Sequence, residues 1–85
     1  MNFKIEENRV YMENEEGKII AEIEFEKIGE DKYNIYHTFV DESLRGQGIA
    51  SKLVEMAVNE IKNRNANVEA TCSYAKKWLE KNSWN

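Results

Sequence analysis

Along the first forty positions, apolar and polar residues alternate. Beyond them the period lengthens, and that change divides the chain. Phe3 to Ile5 and Arg9 to Met12 read as one strand broken at Glu7-Asn8, or as two short pieces. Glu13-Asn14-Glu15-Glu16-Gly17 is polar, ends in glycine and separates apolar segments, which predicts a hairpin turn. From Lys18 to Ile28, Ala21, Ile23 and Phe25 alternate with Glu22, Glu24 and Glu26, the period of a strand with one wet face. Gly29 to Lys32 forms the next turn. Tyr33 to Val40 then makes a third strand, with Tyr33, Ile35, His37 and Phe39 expected on one face and Tyr36, Thr38 and Val40 on the other. Short turns between such strands imply an antiparallel meander.

Asp41-Glu42-Ser43-Leu44 leads into Arg45-Gly46-Gln47-Gly48-Ile49-Ala50, where two glycines sit at a joint. From Gly48 to Arg64 the apolar positions recur every three to four residues. Ile49, Leu53, Ala57 and Ile61 fall on one line with Ala50, Val54 and Val58 beside it, which predicts a long amphipathic helix. Its apolar stripe needs a sheet to cover. Asn65-Ala66-Asn67 ends it, and Val68 to Cys72 is a short strand with Val68, Ala70 and Cys72 on one face. A helical crossover makes that strand parallel to its neighbour. Ser73 is the expected N-cap of a last helix from Tyr74 to Lys81, packed through Trp78, Leu79 and Trp84. The fold class is therefore α/β in the α+β sense, a mixed sheet: a meander of three to four strands, a long helix crossing over to a parallel strand, and a short helix. Residues 1 to 85 form one domain, without repeat, linker or proline.

Composition narrows the function classes. A hydrophobic share of 41% and a charged share of 33% suit a folded, water-exposed protein. No apolar run approaches the ~20 residues of a membrane span, and the first residues lack an apolar signal core, so a cytoplasmic protein without membrane attachment is expected. One cysteine and one histidine are too few for a disulfide framework or a zinc site, and no metal is expected. The net charge of -4 is uneven. Residues 1 to 42 hold 12 acidic and 5 basic side chains, whereas residues 43 to 85 hold 4 and 7. The basic half carries the glycine loop, which suits a polyanionic small ligand, while an acidic chain without a basic run argues against nucleic acid.

A strand, a glycine loop and a helix start make a cradle for phosphate. Glycine admits positive φ and close approach, and the first helical N–H groups and the helix dipole meet at the same place. Arg45-Gly46-Gln47-Gly48-Ile49-Ala50 resembles the acyl-CoA signature of the GNAT superfamily of N-acetyltransferases. With His37-Thr38-Phe39-Val40 and Cys72-Ser73-Tyr74, the chain from about residue 9 to 84 is similar to short stand-alone GNAT-like proteins of the Yjdj type. The resemblance implies an acetyl-CoA site in which N–H groups from Gln47 to Ala50 hold the pyrophosphate. Backbone around Phe39 and Val40 would hold the pantetheine arm, and the thioester would enter a gap between Tyr33–Val40 and Val68–Cys72. The implied activity is acetyl transfer to a primary amine, on a small molecule or a protein, with a backbone N–H near Val40 facing the oxyanion.

The chain departs from that family where a tyrosine acid is usual: the position falls on Leu79. Cys72 or Tyr74 then protonates the thiolate, or water does, or no transfer takes place. Cys72 is open between a nucleophile at a helix start and a small buried residue. His37 is open between a base and a packed strand residue, the latter favoured. Of Arg45, Lys52, Lys76 and Lys77, only Arg45 has the motif behind it as a phosphate partner. An 85-residue chain leaves the acceptor side open, and pairing of two copies would be one way to complete it. An acyl-CoA-binding or regulatory module and a plain interaction domain are the other readings.

Overall fold

The computed structural model describes residues 2–82. The chain runs β1 (Lys4–Ile5), β2 (Arg9–Glu13), β3 (Ile19–Gly29), β4 (Lys32–Val40), a 3-10 turn (Glu42–Leu44), α1 (Ile49–Asn63), β5 (Asn67–Ala70) and α2 (Ser73–Lys81). The strands form one sheet in sequence order, the first four antiparallel and β5 parallel to β4. The broken first strand is two pieces, paired through Lys4↔Tyr11 and Ile5↔Val10.

Both helices lie on one face of this sheet, α1 against β2 to β5 and α2 against β4 and β5. The predicted stripe of α1 is the buried one, with Ile49, Leu53, Val54, Ala57, Val58 and Ile61 turned inward. They meet Val10, Met12, Ala21, Ile23, Phe25 and Ile35 from the strands, and Ala75 and Leu79 from α2. Each fully buried Leu, Ile or Phe in this layer is worth about 1.5–3 kcal/mol relative to exposure. Asn65 in the left-handed region (φ 61°) stops α1. Next to it, Arg64 ties the helix end to the first hairpin, donating to the carbonyls of Glu7 (2.8 Å) and Glu6 (3.2 Å). Its guanidinium also lies 5.5 Å from the Phe25 ring and 5.3 Å from the Tyr33 ring. Among the described residues, no helix is long and apolar enough to cross a membrane.

Three local expectations need correction. On β4, Phe25 faces Ile35 while Glu24 faces His37, so Tyr36 is an extra residue and a β-bulge. One inserted residue inverts every side chain after it. His37 and Phe39 therefore share the uncovered face with Glu22 and Glu24, whereas Thr38 and Val40 turn to the helix side with Ile35. Second, Cys72, not Ser73, occupies the N-cap of α2, and Ser73 begins the helix. Third, β5 ends at Ala70, so Cys72 lies beyond the strand. Trp84 lies outside the described residues; Leu79 is buried and Trp78 half-buried.

Candidate functional site

The end of β4 determines the site. Pairing to β5 runs only from Lys32↔Asn67 to Ile35↔Ala70, whereas pairing to β3 continues to Val40↔Ala21. The N–H groups of Thr71 (3.0 Å) and Cys72 (3.2 Å) both donate to the Ile35 carbonyl, after which the chain turns away into α2. Residues 36 to 40 thus have an open side where β5 has departed. The Asp41 N–H donates to the Ile20 carbonyl (2.8 Å), which fixes the alternation of the ladder: the backbones of His37 and Phe39 face β3, and those of Thr38 and Val40 face the gap. Phe39, expected near the pantetheine arm, thus has its backbone in the β3 ladder and its ring on the uncovered face, 40% exposed.

After β4, Asp41 caps the 3-10 turn. Its carboxylate accepts from the Ser43 N–H (3.1 Å) and hydroxyl (2.6 Å), and those bonds hold it below the usual carboxylate range. The Leu44 and Arg45 N–H groups donate to the carbonyls of Asp41 and Glu42. The glycine loop follows, with Gly46 at φ 83° and Gly48, the N-cap of α1, at φ 74°. Both values lie where an L side chain is strained, which explains why glycine stands at each. Among the described residues, the first α1 N–H after the loop with a backbone acceptor outside the regular helix is that of Lys52, on the Gly48 carbonyl (3.1 Å). Among the described residues, the N–H groups of Gly46, Gln47, Gly48, Ile49, Ala50 and Ser51 make no well-aligned hydrogen bond to a protein acceptor. These donors and the helix dipole favour an anion at this spot.

Beside the loop lies a cavity of about 460 Å³, lined on β4 by Thr38 and Val40, on the loop by Arg45, Gly46 and Gly48, and on the helices by Ile49, Ala50 and Tyr74. Tyr74 also borders a second depression of about 560 Å³ lined by Ser51, Lys77, Trp78 and Lys81. The indole N–H of Trp78 donates to the Ser51 hydroxyl (2.9 Å), joining α2 to the first turn of α1. Of the cations weighed from sequence, Arg45 lines the cavity, Lys77 lines the depression, and Lys52 is engaged by Glu55 at 3.3 Å.

Cys72 stands at the mouth of the gap, its sulfur 3.4 Å from the Thr38 hydroxyl, but does not line the cavity. Partial burial pushes the thiol up. The Thr38 hydroxyl and the N–H groups of Ala75, Tyr74 and Thr38 outweigh that, and the net shift is downward. Those first-turn N–H groups face the sulfur without closing a capping hydrogen bond. His37 is remote from the cavity. It is exposed on the other face, where its imidazole and the carboxylates of Glu22 and Glu24 lie within 4.8 Å of one another. The packed setting expected for His37 is therefore absent, because the bulge at Tyr36 turns it outward. Leu79 is 1% exposed and belongs to the core.

Tertiary structure adds the depression beyond Tyr74, which the sequence pattern did not give, and locates where the gap implied by the resemblance opens, after Ile35↔Ala70. A bulge is written in no periodicity, so only the observed register shows that Thr38 and Val40, not His37 and Phe39, turn to the helix side there.

Comparison with known proteins places this geometry. The family model described as GCN5-related N-acetyl-transferase matches residues 9–85. A GCN5-like protein of Staphylococcus aureus, solved in solution, superposes with a TM-score of 0.78 at 35% identity, covering 96% of this chain and 80% of that one. An aminoglycoside 6'-N-acetyltransferase complexed with coenzyme A shares the fold at a TM-score of 0.62 and 17% identity, over 73% of this chain and 35% of its own. Protein NATD1 of Xenopus tropicalis is 29% identical over 58 residues, 68% of this chain and 53% of that protein. The chain thus spans about half the length of this curated relative.

Proposed function

Because the chain belongs to the GCN5-related N-acetyltransferase family, we propose that it binds acetyl-CoA and moves the acetyl group from the thioester to a primary amine. The observation that carries this reading is the run of unbonded N–H groups from Gly46 to Ser51 beside an open cavity. That arrangement suits a pyrophosphate, and the gap beside Thr38 and Val40 suits an extended arm that adds to the sheet edge like a strand. The nucleotide end then lies toward Lys77 and Trp78 in the second depression.

In this reading the amine lone pair attacks the thioester carbon. The carbonyl oxygen gains charge and accepts from the Val40 N–H, which has no protein acceptor among the described residues. As the C–S bond breaks, the sulfur takes a proton from the Tyr74 hydroxyl, and the amine loses one to solvent or, for an acceptor entering from the uncovered face, to His37. Tyr74 is preferred to Cys72 as the acid because it lines the cavity and Cys72 does not. Cys72 remains a candidate acyl carrier through its thiolate.

One observation favours a second reading, a CoA-binding module without catalysis. Leu79, at the position expected for a tyrosine acid, is locked in the core. Calorimetry with CoA and acetyl-CoA tests the site, and thiol release from acetyl-CoA across an amine panel tests the chemistry. Tyr74→Phe is expected to slow turnover on the order of a hundredfold with little change in acetyl-CoA affinity. Binding without thiol release for any amine decides for the module, and the absence of binding defeats both readings.

A further inference from the structure

We infer that Asp41 is a positioning residue of the cofactor site: without touching the ligand, its side chain holds the loop that presents the N–H groups from Gly46 to Ser51. This role rests on the cofactor-binding reading above. Asp41 does not line the cavity, yet Val40 before it and Leu44, Arg45 and Gly46 after it do. It stands where a ladder becomes a loop. Its N–H continues the pairing to β3 one residue past β4, on the Ile20 carbonyl (2.8 Å), and its carbonyl accepts from the Leu44 N–H (3.0 Å). Its carboxylate accepts from the Ser43 N–H and hydroxyl, which caps the 3-10 turn.

Little else holds this stretch. Between Asp41 and Ile49, the first buried residue of α1, Leu44 packs against the core, whereas Glu42, Ser43 and Arg45 to Gly48 are exposed. Among the described residues, the side chains of Glu42, Arg45 and Gln47 make no hydrogen bond or ion pair. An apolar contact such as that of Leu44 sets depth but not direction. Gly46 and Gly48 add freedom rather than constraint. The direction in which the chain enters the glycines is therefore set by the capped turn, and the Arg45 N–H, on the Glu42 carbonyl (3.1 Å), is its last bond.

A carboxylate is otherwise a poor neighbour for a polyanion, since like charges repel. After the Ser43 hydroxyl and N–H, the charges of Lys18 and Arg45 also hold the Asp41 carboxyl down, so this acid lies within the field of the loop cation. Its charge and its hydrogen bonds therefore act on a bound phosphate in opposite directions. Substitution separates them. Asparagine keeps a capping oxygen and drops the charge, serine caps through its hydroxyl, and alanine drops both.

The test is calorimetry with CoA on the whole chain and on Asp41→Asn, Asp41→Ser and Asp41→Ala, with urea unfolding of each. Affinity is expected to be kept or raised in Asp41→Asn and Asp41→Ser. In Asp41→Ala it should fall about fivefold, and by no more than about thirtyfold, the equilibrium equivalent of one cap. Equal affinity in Asp41→Ala and Asp41→Asn overturns this role, because charge alone then accounts for both. Ser43→Ala, at an exposed position, removes the hydroxyl bond and should lose a smaller part; if Asp41→Ala does not fold, full affinity in Ser43→Ala overturns the role instead. In turnover, Asp41→Ala should raise KM for acetyl-CoA and leave kcat unchanged, and the reverse split contradicts action through the loop. Failure of the unaltered chain to bind CoA defeats the cofactor reading, and the backbone order parameters of Gly46 and Gly48 then decide the holding of the loop by themselves. They should fall in Asp41→Ala and not in Asp41→Asn, and equal values in the two overturn it.

Discussion

Replacing Gly48 by alanine separates the backbone requirement of the loop from its use as a cradle. Gly48 sits at φ 74°, ψ 15°, where an L residue costs about 1–2 kcal/mol. A Cβ built there meets no other heavy atom within 4 Å, so nothing clashes and the backbone cost is the whole cost. For a domain of this size, that lowers the melting temperature by roughly 4–16 °C. Gly17, in the β2–β3 turn, provides the control: its φ is 82° and a Cβ there is equally unobstructed, but it is part of neither the loop nor the cavity. Gly17→Ala should therefore lose similar stability and keep its CoA affinity. Gly48→Ala should lose both, because the new methyl projects beside the unbonded N–H groups. Loss of one charge-assisted contact is worth about 1.5–3 kcal/mol, on the order of ten- to a hundredfold in Kd. Urea unfolding and calorimetry with CoA, run on both variants, read the two quantities separately. Unchanged stability in Gly48→Ala would refute the strain argument. Equal CoA affinity in the two variants would refute the cradle.

Other consequences are as direct. The Cys72 thiol should react with iodoacetamide at a midpoint below that of an ordinary free thiol; Thr38→Val, by removing a favourable partner of the thiolate, should move that midpoint up, and no movement would dissociate Thr38 from the shift. Leu79→Tyr should not supply the missing acid, since the position is buried. It should destabilise the fold by about 1–3 kcal/mol in urea unfolding, and a gain in turnover without loss of stability would contradict the packing. Arg64→Ala removes two bonds to the first hairpin and the stack on Phe25 and Tyr33, a loss of about 1–3 kcal/mol; Arg64→Lys should recover only part of it, because an ammonium lacks the planar fork.

Where a single local rule governed a segment, its residues were sufficient to read it. Glu22, Glu24 and Glu26 alternate with Ala21, Ile23 and Phe25 because a strand has period two, and the same logic at longer period gave the buried stripe of α1. Gly46 and Gly48 disclose the loop because positive φ has to be paid for in residue choice. The faces of β4 could not be read that way. Inserting Tyr36 is a response of β4 to its neighbours, and it sends His37 and Phe39 outward and Thr38 and Val40 inward against the run of the pattern. The gap has the same origin: two N–H groups converge on one carbonyl at Ile35, β5 leaves, and the backbone beyond loses its partner. Periodicity fixes which side of an element is apolar, because that depends on neighbours along the chain. Which backbone groups remain unbonded depends on neighbours across the fold.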